Sequence, residues 1–371
     1  MSIFQKVFAV IIAALTSLAN VTGYFGLEAK PEEYTTYKNV IIMIGDGMGF
    51  NHLEATKQAY ELDELNMENV VVKAESKTNS LFGLTTDSAA GGTALSSGIR
   101  TINGMVGTYA FDPFRVFSTP KNVTEVAIEQ GKATGVVTTD YTSGATPSSF
   151  SAHTYSRDND VDITEQQLAS DIDLIWGAYN GLATSDVVSA AGRTYIGTAT
   201  ELADFDGETK SFGQFSFDDL KYVANNYDTP TLEVMTEKAI DILSTDEDGF
   251  FLMVEGAHID KFSHDNNFDG STKHTVEFDK AIEVALEYAA QDGETLVVVT
   301  ADHETGGIQY NAEKDEYYYT SGSHTGVNVP VFVSAADAGF IDGKAYKNCE
   351  VSVQLARVMG AKEEDFPRIK L

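Results

Sequence analysis

Residues 39–49 read NVIIMIGDGMG, an apolar run that ends in an acidic, glycine-rich turn. Four later stretches have the same form, and they read ATGVVTTDYTSGATP, GFFLMVEGAHID, TLVVVTADHETGG and NVPVFVSAADAG. Short runs rich in valine and other large apolar residues, each closed by a polar turn, predict buried strands. The five stretches therefore predict a sheet whose strands end in polar loops.

Amphipathic segments between these strands predict helices, most clearly at residues 232–243 and 274–290. Strands that alternate with helices predict an α/β fold with a largely parallel sheet. Because the sequence has no internal repeat or proline-rich linker, we predict one domain over residues 23–371. Residues 190–227 carry the weakest pattern, and we expect an irregular surface excursion there.

The chain of 371 residues is strongly acidic, with 56 acidic side chains against 25 basic ones and a formal net charge of −31. Such a charge repels nucleic acid and anionic membranes and attracts cations, which argues against a nucleic-acid partner. The single Cys349 excludes an intrachain disulfide. Stability must therefore come from the apolar core and from bound metals.

The N-terminal segment, residues 1–22, carries one lysine followed by an apolar run that is too short to span a bilayer comfortably. This pattern predicts a signal peptide, and therefore a periplasmic or secreted protein with no membrane span after cleavage. An uncleaved membrane anchor is the alternative interpretation.

Carboxylates and histidines follow the predicted strands. In an open α/β sheet, ligands bind beyond the carboxyl ends of the strands, where these side chains are expected to meet. Mixed carboxylate and imidazole ligands suit zinc, and oxygen-rich sets suit magnesium. The candidate ligands are Asp46, Glu255, Asp260, His264, Asp302, His303 and His324.

The stretch LTTDSAAGGTAL, residues 84–95, places Ser88 where a helix of small residues is expected to begin. Ser88 is either a helix cap or a nucleophile. A serine hydroxyl is a weak nucleophile at its ordinary pKa, and no histidine base adjoins it in the sequence. Coordination to a metal would lower that pKa and take the place of a base.

Six blocks of the sequence resemble the alkaline phosphatase family and occur in that family's order: IGDGMG, TDSAAGGTA, GATPSSFSAHTYSR, VEGAHIDKFSH, TADHETGG and GSHTG. The resemblance covers most of residues 38–353. It implies a central mixed sheet flanked by helices on both faces, often in a homodimer. It also implies hydrolysis of phosphate monoesters through a phosphoserine, with broad specificity and an alkaline pH optimum.

Residue by residue, the resemblance implies that Ser88 is the nucleophile, that Arg157 binds the phosphate oxygens and that Asp87 orients the arginine. Lys261 resembles the lysine with which some bacterial members reach the phosphate through water. The resemblance further implies two Zn²⁺ ions and one Mg²⁺ ion. The first zinc would be held by Asp46, Ser88, Asp302 and His303, the second by Asp260, His264 and His324, and the magnesium by Asp46, Thr146 and Glu255.

Three features depart from the commoner family pattern. Gly144 stands where members often carry an aspartate or histidine that tunes the magnesium site, so the third metal is expected to be held weakly or to be a different ion. His258 is unusual in its place, and we interpret it as an outer or surface histidine. Twenty residues separate His303 from His324, so the crown-like insertion of many relatives must be missing or minimal, which weakens the expectation of a dimer.

Two other functions compete with a phosphomonoesterase. A phosphodiesterase of the same superfamily more often uses threonine as its nucleophile and lacks the phosphate-binding arginine, so Ser88 with Arg157 favours monoesters. A non-catalytic secreted protein that binds metal or phosphate would lack a catalytic residue, and none is missing from the motifs.

Overall fold

Strands and helices alternate along most of the chain in the computed structural model, which describes residues 35–109, 118–222 and 228–370. The predicted signal peptide, residues 1–22, lies outside the described residues, so the domain boundary after it stays a prediction. The described strands are β1 Asn39–Gly45, β2 Val72–Lys77, β3 Ala133–Tyr141, β4 Leu174–Ala178, β5 Thr194–Ile196, β6 Ser211–Phe215, β7 Phe250–Gly256, β8 Thr295–Thr300, β9 Glu304–Thr305, β10 Gln309–Asn311, β11 Glu316–Tyr318, β12 His324–Thr325, β13 Val329–Val333 and β14 Ala345–Lys347.

Ten of the described strands form one sheet in the order β14-β2-β13-β8-β1-β7-β3-β4-β6-β5. Strand β13 pairs antiparallel with β2 and β8, and the other pairings in this sheet are parallel. The prediction of a largely parallel but mixed sheet is therefore confirmed. Each of the five stretches predicted to contain a strand does contain one, and these strands are β1, β3, β7, β8 and β13.

Helices cover both faces of this sheet. Along β1, Ile41 and Met43 pack into one apolar cluster, whereas Val40, Ile42 and Ile44 pack into another on the opposite face. Parallel strands that are buried on both faces need such continuous apolar runs. The described helices are α1 Phe50–Tyr60, α2 Ser88–Ser97, α3 Val123–Glu129, α4 Ala145–Ser149, α5 Asp160–Ala169, α6 Ser185–Ala190, α7 Ala199–Asp204, α8 Phe217–Tyr222, α9 Leu232–Leu243, α10 His258–His264, α11 Phe268–Asp292 and α12 Asn348–Val358.

The helix predictions are confirmed, and one has a different length. Helix α9 has the predicted bounds, whereas α11 begins at Phe268, six residues before the predicted start. The side chain of Asn267 caps α11 by accepting a hydrogen bond from the Gly270 amide at 2.9 Å, and this cap lies outside the apolar pattern that defined the prediction. None of the described helices combines the length and apolarity needed to cross a membrane.

The expectation of an irregular excursion at residues 190–227 is wrong for the described part of that segment. It contains β5, α7, β6 and α8, and every residue of β6 is buried. Strand β6 lies between β4 and β5 in the central sheet. Its sequence, SFGQF, mixes polar and apolar residues. The polar Ser211 can be buried because its hydroxyl accepts a hydrogen bond from the buried Trp176 indole at 2.9 Å.

Candidate active site

Four neighbouring parallel strands bring acidic side chains to one edge of the sheet. Strands β8, β1, β7 and β3 are adjacent, and their carboxyl ends are followed by, or carry, Asp302, Asp46, Glu255 and Asp140. Gly47 turns the chain after β1 with a φ of 74°, which glycine adopts without strain. A Cβ at this position would lie 2.8 Å from the Cα of Asp260, so glycine is also required for space.

Helix α2 begins at Ser88, as the sequence predicted. The capping side chain is that of Asp87, whose Oδ1 accepts a hydrogen bond from the Ala90 amide at 3.0 Å. Ser88 is therefore not the cap, and its hydroxyl is available for other contacts. A Cβ at Gly91 would lie 3.1 Å from the Asp302 carbonyl oxygen, so this glycine lets the helix approach the end of β8.

The first cluster joins the Ser88 hydroxyl to a buried histidine and two carboxylates. The Nε2 atom of His303 lies 3.2 Å from Ser88 Oγ, 3.2 Å from Asp302 Oδ2 and 3.5 Å from Asp46 Oδ1. Asp302 and His303 are adjacent in the chain, and the loop after β8 turns both toward the same point. The four side chains predicted to share the first zinc therefore lie together.

The second cluster joins Asp260, His264 and His324. Helix α10 places Asp260 and His264 on one face, with His264 Nε2 3.4 Å from Asp260 Oδ1. His324 Nε2 lies 3.0 Å from His264 Nε2 and 3.5 Å from Asp260 Oδ1. The other ring nitrogens face backbone carbonyls, with His264 Nδ1 2.9 Å from Gly322 O and His324 Nδ1 2.9 Å from Thr86 O.

These contacts fix the tautomers of the three histidines. A carbonyl oxygen only accepts, so Nδ1 of His264 and of His324 carries the proton and Nε2 presents its lone pair. The Thr305 hydroxyl donates to Asp260, and it accepts from His303 Nδ1 at 3.3 Å. His303 therefore also presents an Nε2 lone pair. Each Nε2 faces carboxylate oxygens, an arrangement that is repulsive unless a proton or a metal ion lies between the atoms.

Buried carboxylate oxygens without hydrogen-bond partners also indicate that cations bind here. Among the described residues, Asp46 Oδ1 and Asp302 Oδ2 are buried and have no hydrogen-bond partner. Unpaired buried carboxylate oxygens are costly, and they are expected where a metal ion completes the site. Two groups, Asp46 with Asp302 and His303, and Asp260 with His303 and His324, have ligand atoms within 4.8 Å of one another. The residues thus fit a pair of metals with nitrogen and oxygen ligands.

Two of the predicted magnesium ligands, Glu255 and Thr146, lie in β7 and in the helix that follows β3. Glu255 is 1% exposed, and it accepts a hydrogen bond from the Thr138 hydroxyl. Thr146 lies in α4, and its hydroxyl is buried with no hydrogen-bond partner in the described chain. Carboxylate and hydroxyl oxygens at this position suit a hard cation.

Arg157 and Lys261 supply the positive charge at the site. Asp87 Oδ2 accepts hydrogen bonds from Arg157 Nη1 at 3.4 Å and from the Gly104 amide at 2.8 Å. Asp87 therefore connects the arginine to the start of α2. The ammonium group of Lys261 lies 3.0 Å from Asp140 Oδ2.

The interpretation of His258 as a surface histidine is wrong, whereas its interpretation as an outer histidine of the metal site stays a prediction. The side chain is buried, and its ring packs against Phe217 at 5.4 Å and His274 at 5.1 Å between centroids. It belongs to neither group of candidate metal ligands found in the described residues.

Burial and mutual repulsion raise the pKa values of the acidic cluster. Burial, then the charge of Asp260, raises the pKa of Asp302 to about 7. Burial, then the charge of Asp140, raises the pKa of Glu255 to about 8. The pKa of Asp46 is raised well above its usual range by burial and then by Asp302. Burial, and then the imidazoles of His324 and His264 in the second cluster, lowers the pKa of His303.

We expect the metal-free protein to lose stability as the pH rises from about 6.5 to about 8. Ordinary histidines become neutral over this range, so the carboxyl groups dominate the change in stability. The folded-state pKa values of Asp302, about 7, and Glu255, about 8, lie above their unfolded values near 4. The folded chain therefore binds more protons than the unfolded chain, so stability falls with pH until these carboxyls have ionised. Thermal unfolding of the chelated protein at several pH values measures this.

The metal-loaded protein is the control for that experiment, because its carboxylates are ionised against bound cations and need no protons. Its melting temperature is expected to stay level over the same pH range, so the gap between the two forms widens with pH. A melting temperature of the chelated form that stays level or rises across this window would contradict the raised pKa values.

Several residues of the site were not identified from the sequence. Thr305 orients His303, and the Thr86 carbonyl orients His324. A threonine or a backbone carbonyl carries no signal of its own, although Thr305 stands two residues after His303. Asp140 was also missed, although it ends a predicted strand in the same way as the acids that were chosen.

Known proteins resemble this chain in sequence and in fold. The family profile described as alkaline phosphatase matches residues 37–179 and 177–321. Alkaline phosphatase 3 of Bacillus subtilis (strain 168) is 34% identical over 333 residues, which cover 81% of this chain and 70% of the relative.

Two solved structures share the fold. The cold-active alkaline phosphatase of a psychrophilic Shewanella species is 26% identical with a TM-score of 0.78, covering 86% of this chain and 99% of that one. A mutant of TAB5 alkaline phosphatase, from an Antarctic bacterium, with magnesium in its M3 site is 29% identical with a TM-score of 0.73, covering 89% and 99%. The present chain therefore belongs to the alkaline phosphatase family and is a metal-binding phosphatase.

Proposed function

We propose that this enzyme hydrolyses phosphate monoesters through a phosphoserine formed on Ser88. The observation that carries the proposal is the position of the Ser88 hydroxyl. It lies at the first residue of α2, 3.2 Å from the Nε2 atom of His303, and the preceding residue, Asp87, accepts a hydrogen bond from the Arg157 guanidinium. An incoming phosphoryl group would meet the Ser88 nucleophile, the amino end of helix α2 and the guanidinium of Arg157, which can bind two phosphate oxygens.

The donor sets support two zinc ions and one magnesium ion. Asp46, Ser88, Asp302 and His303 form a mixed nitrogen and oxygen set suited to zinc. Asp260, His264 and His324 form a second such set with two imidazoles. Asp46, Thr146 and Glu255 offer only oxygen and suit magnesium, the metal bound in the M3 site of the TAB5 mutant. When bound, these cations act as Lewis acids that lower the pKa of coordinated oxygens.

The chemistry of the chain's own residues is a double displacement at phosphorus. Ser88 Oγ attacks phosphorus as its proton leaves, the bond from phosphorus to the ester oxygen breaks, and the alcohol departs after gaining a proton. A water oxygen then attacks the phosphoserine, the bond from phosphorus to Oγ breaks, and Ser88 regains its proton as phosphate is released. Each step is an in-line displacement, and the enzyme is regenerated at the end of the second.

Arg157 supports monoesters over diesters as substrates. A monoester offers three nonbridging oxygens, so two can bind the guanidinium while one remains for the metals. Burial lowers the pKa of the guanidinium, but the charges of Asp87 and then Asp46 outweigh this effect and raise it. The arginine therefore stays charged at every pH at which the enzyme works.

The remaining finer properties follow from the same residues. The proposed residues bind the phosphoryl group or the metals rather than the alcohol, which supports broad specificity. Burial raises the pKa of Glu255 to about 8 in the metal-free chain, so protons compete less with the cation at alkaline pH, which supports an alkaline pH optimum. We also propose a periplasmic or secreted location and, from the resemblance, a homodimer.

We expect strong hydrolysis of a chromogenic phosphate monoester at alkaline pH and little hydrolysis of the matching diester. Prior chelation should abolish the monoesterase activity, because the donor sets lose their cations, and zinc with magnesium should restore it. Parallel rate measurements on native, chelated and restored protein test this directly. Preference for the diester would overturn the role of Arg157, and retained activity after complete chelation would overturn the metal-dependent mechanism.

A further inference from the structure

Asp140 is a buried carboxylate that the residues assigned so far do not use. It lies in β3, where the register against β4 shifts between Val137 and Tyr141. The side chain is 8% exposed. Its Oδ2 atom accepts the hydrogen bond from Lys261, whereas Oδ1 is buried and has no hydrogen-bond partner in the described residues. Half of this carboxylate is therefore unpaired inside the protein.

Gly144 makes the room that this carboxylate occupies. A Cβ at Gly144 would lie 2.7 Å from Asp140 Oδ2 and 3.0 Å from its Cγ. The backbone at Gly144 has φ −54° and ψ 154°, values open to any residue. Space rather than backbone conformation therefore requires glycine here. The Asp140 carboxylate, together with the Tyr141 carbonyl oxygen 2.9 Å from such a Cβ, fills the volume that a side chain at position 144 would take.

Asp140 is linked to two of the three proposed magnesium ligands. The Asp140 amide donates to the Thr138 hydroxyl at 2.8 Å, and the same hydroxyl donates to Glu255. Gly144 directly precedes the helix that carries Thr146, whose side chain is buried and whose hydroxyl is unpaired in the described chain. Asp140 is thus linked to Glu255 through the Thr138 hydroxyl, and the loop after β3 leads from Asp140 to Thr146.

The charges of this region also leave a place for a divalent cation. Asp46, Asp140 and Glu255 together carry three negative charges when ionised, and Lys261 supplies one positive charge beside them. A buried group of this kind is stable only if the remaining charge is neutralised. A divalent cation with oxygen ligands does this.

We propose that Asp140 is part of the third metal site, which it strengthens from β3 in place of a side chain at position 144. Its Oδ1 adds a carboxylate to the surroundings of the magnesium ion, and its Oδ2 fixes the ammonium group of Lys261. This inference rests on the proposed function, which assigns magnesium to Thr146 and Glu255. Asp140 is a positioning residue, because it acts on the substrate only through the cation and Lys261.

The test measures magnesium binding to zinc-loaded protein by calorimetry, with metal content by mass spectrometry. Asp140→Asn keeps the shape of the side chain and removes its charge. We expect its magnesium dissociation constant to rise about 10- to 100-fold, the cost typical of losing a partner around a metal, with two zinc ions still bound. Asp173→Asn is the matched control. Asp173 is a partly buried carboxylate that accepts a hydrogen bond from Thr134 at the other end of β3.

Thermal unfolding of the zinc-loaded protein with and without magnesium separates this role from a purely structural one. We expect Asp140→Asn to gain less stability than wild type when magnesium is added, because it binds magnesium more weakly. Unchanged magnesium affinity in Asp140→Asn, or a gain in stability equal to that of wild type, would overturn the inference alone. Wild-type protein that binds no magnesium and hydrolyses no monoester would overturn the proposed function as well.

Discussion

Replacement of Ser88 by alanine is expected to lower kcat for phosphate monoesters by on the order of 10⁴-fold, as removal of a catalytic nucleophile does in other enzymes. The helix should persist, because its cap is Asp87 rather than Ser88, and alanine is a strong helix former. Zinc content should fall little, because three ligands of the first cluster remain. Steady-state kinetics and metal analysis on the same preparation measure both quantities.

Ser97→Ala is the matched control for this variant. Ser97 lies in the same helix and is also buried, and its hydroxyl donates to the Thr93 carbonyl at 2.7 Å. It is expected to keep kcat near the wild-type value. A phosphorylated protein trapped from a labelled monoester at low pH should appear with wild type and Ser97→Ala but not with Ser88→Ala. Wild-type turnover by Ser88→Ala would rule out the phosphoserine.

Replacement of His324 by alanine is expected to remove one zinc ion per chain and lower kcat/KM for monoesters by about 10³-fold or more, a loss comparable with removing a principal electrostatic group. His324 supplies one of two imidazoles in the second cluster, and its Nε2 lies 3.0 Å from that of His264. A zinc ion left with Asp260 and His264 alone would have too few protein ligands. Metal analysis after dialysis measures the loss.

His153→Gln is the control, because His153 contacts Glu125 and the Gly107 carbonyl rather than the metal clusters. It should retain both zinc ions and most of the activity. Excess zinc should partly restore the activity of His324→Ala by mass action, since the other ligands remain. Full zinc content in His324→Ala without added metal would show that the second cluster has been assigned wrongly.

The strands of the sheet centre were predictable from sequence, because runs such as VIIMI in β1 are buried on both faces and carry a strong apolar signal. Strand β6, which lies between β4 and β5, was not predictable in the same way. Strand β6, with the sequence SFGQF, is buried through pairings with β4 and β5 and a hydrogen bond from Trp176. These contacts come from separate segments of the chain, which a local pattern does not contain.

The candidate ligands were predictable because parallel strands end at one edge, so acids after β1, β7 and β8 had to meet there. What the sequence did not contain is how each ligand is oriented. Thr305 sets the tautomer of His303 and the carbonyl of Thr86 sets that of His324. Asp140 was missed because its importance depends on Gly144, a residue that carries no chemistry and matters only through the space it leaves.

The small hairpin formed by β10 and β11 has a consequence for how this chain can change in length. The pairing of β9 with β12, which places His324 opposite Thr305, closes the base of this hairpin beside the metal ligands. The tip, residues 312–315, is exposed. Loop-closure entropy grows by only about 0.6 kcal/mol for each doubling of length. A long insertion at the tip is therefore expected to cost little stability. Because the β9–β12 pairing closes the base of the hairpin, such an insertion is expected to leave the positions of the metal ligands unchanged.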